Sequence, residues 1–99
     1  MSNPFKYAEL EQNPIKGGVQ YIFKFDNGYG ASVVCHRFSY GGSEGKWEIA
    51  AVRFENGDWD IDYDTSVSAN VIGWLDVDGV NDLLDQISTL DQHANKEPK

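Results

Sequence analysis

Apolar side chains occupy every second position over residues 19–25, and this alternation predicts a half-buried β-strand. The dipeptide Asn27-Gly28 follows, which favours a two-residue type I′ hairpin turn, so a second strand is expected over residues 29–38. Counted outward from this turn, the expected pairs are Phe25 with Gly30, Phe23 with Ser32 and Tyr21 with Val34.

A second hairpin is predicted on the same grounds. Residues 39–46 contain three glycines and read as a loop, residues 47–54 form a third strand, and Asn56-Gly57 repeats the turn signal. A regular strand would place Ile49 on the acidic side of this hairpin, so we expect a β-bulge near Ala50-Ala51. The expected pairs are Phe54 with Trp59, Arg53 with Asp60, Val52 with Ile61 and Ala50 with Tyr63.

The C-terminal part of the chain has a helical period. Asp76 is a good N-cap residue, and the carboxylates that follow it lie opposite an apolar stripe, which predicts an amphipathic helix over residues 76–91. The apolar positions of this helix are Val77, Val80, Leu83, Leu84, Ile87 and Leu90.

These elements predict a single domain of the α+β class, residues 1–99. Its antiparallel sheet has about four strands in two hairpins over residues 19–64, and the C-terminal amphipathic helix packs on one face. Prolines and a Gly-Gly pair interrupt any period in residues 1–18, which are expected to form an irregular N-terminal arm. A flexible tail is expected over residues 92–99.

Composition supports a soluble cytoplasmic domain. The 99 residues are 40% hydrophobic and 13% aromatic, enough for one core. Cys35 is the single cysteine and excludes an internal disulfide, and the start of the chain has no apolar signal-peptide core. No stretch approaches the roughly 18 apolar residues of a membrane span, so no membrane partner is expected.

The net charge of −8 is unevenly distributed. Residues 1–54 hold six Lys/Arg and five Asp/Glu, whereas residues 55–91 hold ten carboxylates and no Lys or Arg. The repulsive field of this acidic half disfavours direct nucleic-acid binding, because contacts with phosphate need cations. A basic protein is the natural partner for such a surface.

The run from Asp58 to Asp64 carries an aspartate at every second position. On an extended strand these carboxylates point the same way, ~6.6 Å apart, and form one row. Such a row would present charge to a basic cleft, and the alternative is a solvated face whose charge serves solubility. Helix carboxylates and a loop tyrosine complete the candidate partner-binding set, which is Asp58, Asp60, Asp62, Asp64, Asp78, Asp82, Asp85 and Tyr40.

No catalytic residue, metal site or cofactor is expected. The spacing from Asp58 fits the start of a calcium loop, but an EF-hand needs Gly at its sixth position and Glu at its twelfth, where Tyr63 and Ala69 stand. Cys35 and His36 are adjacent and point to opposite faces of a strand, so they cannot act together as nucleophile and base. The loop over residues 39–46 lacks P-loop spacing.

Four segments of the chain resemble a group of small uncharacterised proteins of tailed bacteriophages. They are residues 25–34 (FDNGYGASVV), 39–42 (SYGG), 45–48 (GKWE) and 71–75 (VIGWL), and the resemblance covers roughly residues 21–90. No activity is assigned in that group, so no catalytic residue carries over. The resemblance implies a protein of the bacterial host cytoplasm, where small acidic phage proteins often bind and inhibit host factors.

The expected function is therefore that of a small acidic phage accessory protein without enzymatic activity. It would bind a basic host or phage protein, as an inhibitor or a nucleic-acid mimic. The alternative is a phage structural or assembly factor that self-associates as a homo-oligomer through an edge strand or the Tyr40 loop. A hydrolase or metal-dependent enzyme would instead need a defined pocket containing His36 or a carboxylate pair.

Overall fold

A computed structural model of the chain describes residues 3–39, 41–61 and 71–90. It has the α+β architecture expected from the sequence, with six strands, one 3-10 turn and one C-terminal helix in these ranges. The elements are β1 (Glu11–Ile15), β2 (Gly18–Lys24), β3 (Tyr29–Cys35), the 3-10 turn (Gly42–Glu44), β4 (Trp47–Glu55), β5 (Asp58–Ile61), β6 (Ile72–Leu75) and α1 (Val77–Ser88).

The strands form one antiparallel sheet in the order β1-β2-β3-β4-β5, and β6 pairs with the first half of β4. The expected count of four strands is too low, because β1 and β6 were not predicted. β1 lies within the expected irregular arm and contains Pro14, which a strand tolerates when it lies at the edge of a sheet. Neither strand has the apolar alternation that reveals a half-buried strand, since β1 is largely polar and β6 has only four residues.

The first hairpin has a different turn from the expected one, and its register shifts by one residue. Phe25 N donates to Tyr29 O at 2.8 Å, which leaves a three-residue loop that ends in Gly28 with φ 86°. A shift of one residue in the pairing gives each side chain of β2 a different neighbour on β3, one that was expected to point to the opposite face of the sheet. The observed pairs are Tyr21 with Val33, Phe23 with Ala31 and Lys24 with Gly30, in place of Tyr21 with Val34, Phe23 with Ser32 and Phe25 with Gly30.

The second hairpin has the expected register, with Val52 opposite Ile61, Arg53 opposite Asp60 and Phe54 opposite Trp59. Tyr63 lies outside the described residues. The expected bulge near Ala50-Ala51 is wrong, because β3 and β4 pair without interruption from Tyr29–Arg53 to Val34–Glu48.

Ile49 and Ala51 need no bulge because the helix covers their face of the sheet. Both are buried in the core with Val80, Leu84 and Ile87 of α1. The face expected to be acidic is therefore the face on which the helix packs. The arm contributes Phe5 to the same core, where its ring meets Trp47 edge to face at a centroid distance of 4.9 Å.

The helix begins where the sequence predicts. Asp76 is its N-cap, and the Asp76 carboxylate accepts a hydrogen bond from Gly79 N at 2.8 Å. The helix ends at Ser88, and residues 91–99, including the expected tail, lie outside the described residues. Across the described ranges, no helix combines the length and the apolar character that crossing a membrane requires.

Candidate interaction surfaces

The acidic row lies partly on β5, at one side of the sheet. Asp58 and Asp60 are exposed there, opposite Glu55 and Arg53 of β4 respectively. β5 pairs with β4, and no other strand of the described ranges pairs with β5. The other two members of the predicted row, Asp62 and Asp64, lie outside the described residues. We refer to the exposed pair Asp58 and Asp60 as the acidic edge.

The position of the acidic edge gives the solubility alternative a physical basis. A strand edge offers unpaired backbone groups to any other strand, and charged side chains there discourage pairing. The opposite edge strand, β1, carries Pro14 and Glu11, which act in the same way. Both ends of the strand order therefore carry residues that disfavour association by strand pairing.

The helix carboxylates divide into two groups. Asp78 and Asp82 are exposed and lie one turn apart on α1, on the side away from its buried residues. Asp85 is instead engaged by the N-terminal arm, since its carboxylate accepts hydrogen bonds from Lys6 Nζ at 2.9 Å and from the Tyr7 hydroxyl. Asp85 thus holds the arm against the helix, a role that the sequence did not indicate.

The environment of Asp85 also changes its titration. The hydrogen bonds from Tyr7 and Lys6 stabilise the charged carboxylate and lower the pKa of Asp85 below its ordinary value. The same contact raises the pKa of Lys6. Lys6 N also donates to Asn81 Oδ1 at 3.0 Å, so side chains one turn apart on α1 bind consecutive parts of the arm.

A second surface, not predicted as a site, lies at the end of the sheet where β1 meets β2 and β3 meets β4. Phe38 is 71% exposed there, and two cations approach its ring. Lys16 Nζ and the guanidinium carbon of Arg37 each lie 5.9 Å from the ring centroid. Lys16 and Arg37 are themselves exposed. We refer to Lys16, Arg37 and Phe38 as the basic patch.

Trp74 is the second exposed aromatic residue at this end of the sheet. Between the pairs Trp47–Leu75 and Ile49–Ile72 the register shifts, and β6 has Gly73 and Trp74 opposite one residue of β4. The bulge gives Trp74 a positive φ of 61° and leaves its side chain 63% exposed. A left-handed backbone costs a bulky residue about 1–2 kcal/mol, so the exposed ring is held at an energetic cost.

Glycines of the β3–β4 loop place Trp74 beside the basic patch. A Cβ on Gly41 would lie 3.0 Å from Trp74 Cα and 2.9 Å from Lys46 Cβ, so only glycine fits between them. A Cβ on Gly42 would lie 1.8 Å from the carbonyl oxygen of His36, the residue before Arg37, so no other residue fits there either. Tyr40, the loop residue expected to contact a partner, lies outside the described residues.

Sequence reasoning missed the basic patch because its members come from separate segments. Phe38 was expected at the end of a strand, whereas the strand ends at Cys35 and a turn follows. The sequence feature that could have indicated the patch is the pair Arg37-Phe38 next to a glycine-rich loop. An aromatic residue beside a cation at the end of a strand is compatible with an exposed ring. The contribution of Lys16, 22 residues before Phe38, depends on the pairing of β2 with β3.

The structure describes the surroundings of both residues considered for catalysis, Cys35 and His36. Burial raises the pKa of the Cys35 thiol, which disfavours the reactive thiolate. His36 Nδ1 accepts a hydrogen bond from Phe38 N at 3.1 Å and so shapes the turn that exposes Phe38. Within residues 3–39, 41–61 and 71–90, no three His, Cys, Asp or Glu side chains are grouped as metal ligands.

Comparison with known proteins gives no match at the level of a family model, a curated sequence or a solved structure.

Proposed function

We propose that this chain is a non-catalytic interaction protein whose acidic edge binds a basic surface of another protein. The observation that carries the proposal is that Asp58 and Asp60 are exposed on β5. Among the described residues, this strand pairs with β4 on one side. Backbone pairing fixes the strand, so the two carboxylates are held at a set spacing before any partner arrives. Pre-organised charge of this kind favours fast and selective association with a basic surface.

The charge distribution supports a protein partner over direct contact with nucleic acid. Ten carboxylates and no Lys or Arg lie between Glu55 and Asp91, a field that attracts cations and repels phosphates. A basic groove that normally holds nucleic acid is the kind of surface that such a field complements, and occupying it would inhibit the partner. The helix residues Asp78 and Asp82 add to the long-range attraction from a separate element.

The resemblance to tailed-phage proteins supplies the proposed setting. It implies action in the cytoplasm of a bacterial host, on a basic host or phage protein. A phage structural or assembly factor that self-associates is the second candidate. Pairing through sheet edges is disfavoured for that candidate by Pro14 on β1 and by the acidic edge on β5, which leaves the β3–β4 loop end as the surface to test.

The proposal is tested by capturing proteins from bacterial host lysate and measuring the affinity of the purified captured protein for matched variants. The double substitution Asp58→Asn and Asp60→Asn removes two charges from the acidic edge. The control, Glu11→Gln with Glu44→Gln, removes two charges from exposed positions on β1 and in the β3–β4 loop and so gives the same net charge. We expect the edge variant to bind about tenfold more weakly and with a smaller dependence on salt.

A third variant separates the two acidic elements. Asp78→Asn with Asp82→Asn removes the same charge from the helix. A loss confined to this helix variant would contradict the acidic edge as the contact surface, as would equal affinities for the edge variant and its control. Extending the edge variant to Asp62→Asn and Asp64→Asn should enlarge the loss if the row continues beyond β5.

A further inference from the structure

The basic patch has the chemistry to bind a pair of carboxylates. Phe38 offers an exposed ring, and Lys16 and Arg37 approach that ring within the cation–π range. Two incoming carboxylates on one face of a strand could pair with the two cations beside the Phe38 ring. Trp74 and Lys46 both lie beside Gly41 of the β3–β4 loop, at the same end of the sheet.

Cations lie at both ends of the sheet, since Arg53 is opposite Asp60 and Lys24 lies over the Phe54 ring, but among the described residues only one end has cations around an exposed aromatic ring. The described residues contain six Lys and Arg, and three of them, Lys16, Arg37 and Lys46, lie at the end of the sheet where β4 begins. Asp58 lies opposite Glu55, at the other end of β4. The nine residues of β4 separate these ends by about 26 Å at 3.3 Å per residue.

The acidic edge of the same chain has the complementary pattern. Asp58 and Asp60 alternate with Trp59, and the sequence continues the alternation through Ile61, Asp62, Tyr63 and Asp64. Trp59 points to the opposite face of β5 from Asp58 and Asp60, so the acidic edge offers the two cations a pair of carboxylates on one face. Two carboxylates two residues apart on a strand lie ~6.6 Å from each other, a spacing that two cations beside one ring can meet.

We propose that the basic patch of one copy binds the acidic edge of a second copy. Because the two surfaces differ and lie at opposite ends of β4, the contact is head-to-tail and each added copy exposes a new surface for the next one. The separation of about 26 Å exceeds the Debye length of about 10 Å at 0.1 M salt, so repulsion between the acidic ends is largely screened. Self-association of this kind would cover the acidic edge that the proposed function assigns to a basic partner.

The chemistry favours a second copy over single-stranded nucleic acid, which also stacks on aromatic residues beside cations. A second copy carries the same net charge of −8 but offers two carboxylates at one edge, whereas a polyanion carries a charge at every nucleotide and meets the acidic field along its length. Glu44 lies in the same loop as the patch and would add to the repulsion of a long anion.

The test is sedimentation of the full chain over a concentration series, with two charge-reversal variants and their mixture. The wild type should show a mass that rises with concentration without a plateau and falls at high salt. The patch variant, Lys16→Glu with Arg37→Glu, and the edge variant, Asp58→Lys with Asp60→Lys, should each associate at least about tenfold more weakly.

The mixture of the two variants is the decisive sample. The patch variant keeps an intact acidic edge and the edge variant keeps an intact patch, so one native contact forms between them. The second contact joins the two altered surfaces, in which the glutamates of the patch variant meet the lysines of the edge variant, so this contact is also between opposite charges. We therefore expect association to return in the mixture with a strength near that of the wild type, at concentrations where each variant alone is monomeric.

Three results would overturn the proposal. A wild type that stays monomeric at every concentration excludes the contact, and so does association that survives both charge reversals. Binding of a short single-stranded oligonucleotide, lost in the patch variant while the wild type remains monomeric, would assign the patch to nucleic acid. If a charge-reversal variant fails to fold by circular dichroism, Phe38→Ala replaces it, because a side chain that is 71% exposed adds little to the core.

The two proposals fail separately. The patch variant leaves the acidic edge untouched, so it should still bind a basic partner even where self-association is absent. Loss of partner binding in the variant Asp58→Asn with Asp60→Asn tests the proposed function without reference to the basic patch.

Discussion

At the scale of single residues, Asp85 illustrates how a neighbour distant in sequence decides what a carboxylate does. From helical spacing alone it belongs with Asp78 and Asp82 on a solvated face. The fold brings Lys6 and Tyr7 onto it, 79 and 78 residues away in sequence, and its oxygens bind the arm. No local pattern indicates such a contact, because the arm has no period that would position it.

The Asp85 contact makes the docking of the arm sensitive to acid. Because the folded pKa of Asp85 lies below its unfolded value of about 3.9, its stabilising contribution is complete above that value and is lost as pH falls through the folded pKa. We expect Asp85→Asn to lower the melting temperature near neutral pH and to converge with the wild type at strongly acid pH. Melting curves from neutral to acid pH measure this.

The control for this prediction is Asp78→Asn, on the same helix and away from the arm. Its melting temperature should follow the wild-type profile in shape as the pH falls. A constant difference between Asp85→Asn and the wild type at every pH would contradict the proposed role of the ionised Asp85 carboxylate.

Trp74 is a residue whose backbone is strained while its side chain is mostly in water. Asparagine tolerates the left-handed conformation better than tryptophan does, so Trp74→Asn relieves part of a cost of about 1–2 kcal/mol. We expect the melting temperature of this variant to stay equal or rise, while self-association weakens. A clear fall in melting temperature, measured by calorimetry, would mean that the ring stabilises the fold and is not held for binding.

At the scale of elements, the two Asn-Gly hairpins explain where the sequence predicted the fold and where it did not. Asn56 and Gly57 both have positive φ, as a type I′ turn requires, and the register of that hairpin is as expected. In the first hairpin Gly28 has positive φ and Asn27 does not. The same dipeptide therefore forms a different turn, because Asn27 has bonds outside its hairpin.

The amide of Asn27 closes the end of the helix. Its Nδ2 donates to the carbonyls of Ile87 and Leu90, each at 2.9 Å, while its Oδ1 accepts from Tyr29 N. The last carbonyls of a helix have no partner within the regular helix, and here the Ile87 carbonyl accepts from both Leu90 N and Asn27, while Asn27 also supplies a donor to the Leu90 carbonyl just after the helix. A contact between a turn and a helix 60 residues later is invisible to local pattern.

Replacing Asn27 should therefore affect an element distant in sequence. We expect Asn27→Ala to lower the free energy of unfolding by about 2 kcal/mol, since the substitution removes two partly buried hydrogen bonds, those to the Ile87 and Leu90 carbonyls. Amide exchange near the end of α1 should quicken. The neighbouring exposed Asp26→Ala should change stability by less than about 0.5 kcal/mol, and equal effects of the two substitutions would contradict the assignment.

At the scale of the whole molecule, the sequence predicts the α+β class, the helix and the second hairpin, because apolar periodicity and turn residues act locally. It does not predict the strands β1 and β6, whose residues form strands only through pairing with β2 and β4. The acidic edge was accessible from alternation on one strand. The basic patch was not, because it assembles Lys16 and Arg37 around Phe38 from two turns.

The central claim is that the acidic edge, and not net charge alone, selects a basic partner. The most direct measurement is the ratio of dissociation constants of the captured partner for two variants of equal charge, Asp58→Asn with Asp60→Asn and Glu11→Gln with Glu44→Gln. A ratio of about ten, with the edge variant the weaker binder, is the predicted result. A ratio near one would contradict the claim. The carboxylates of β5 would then serve to prevent other strands from pairing with this edge of the sheet.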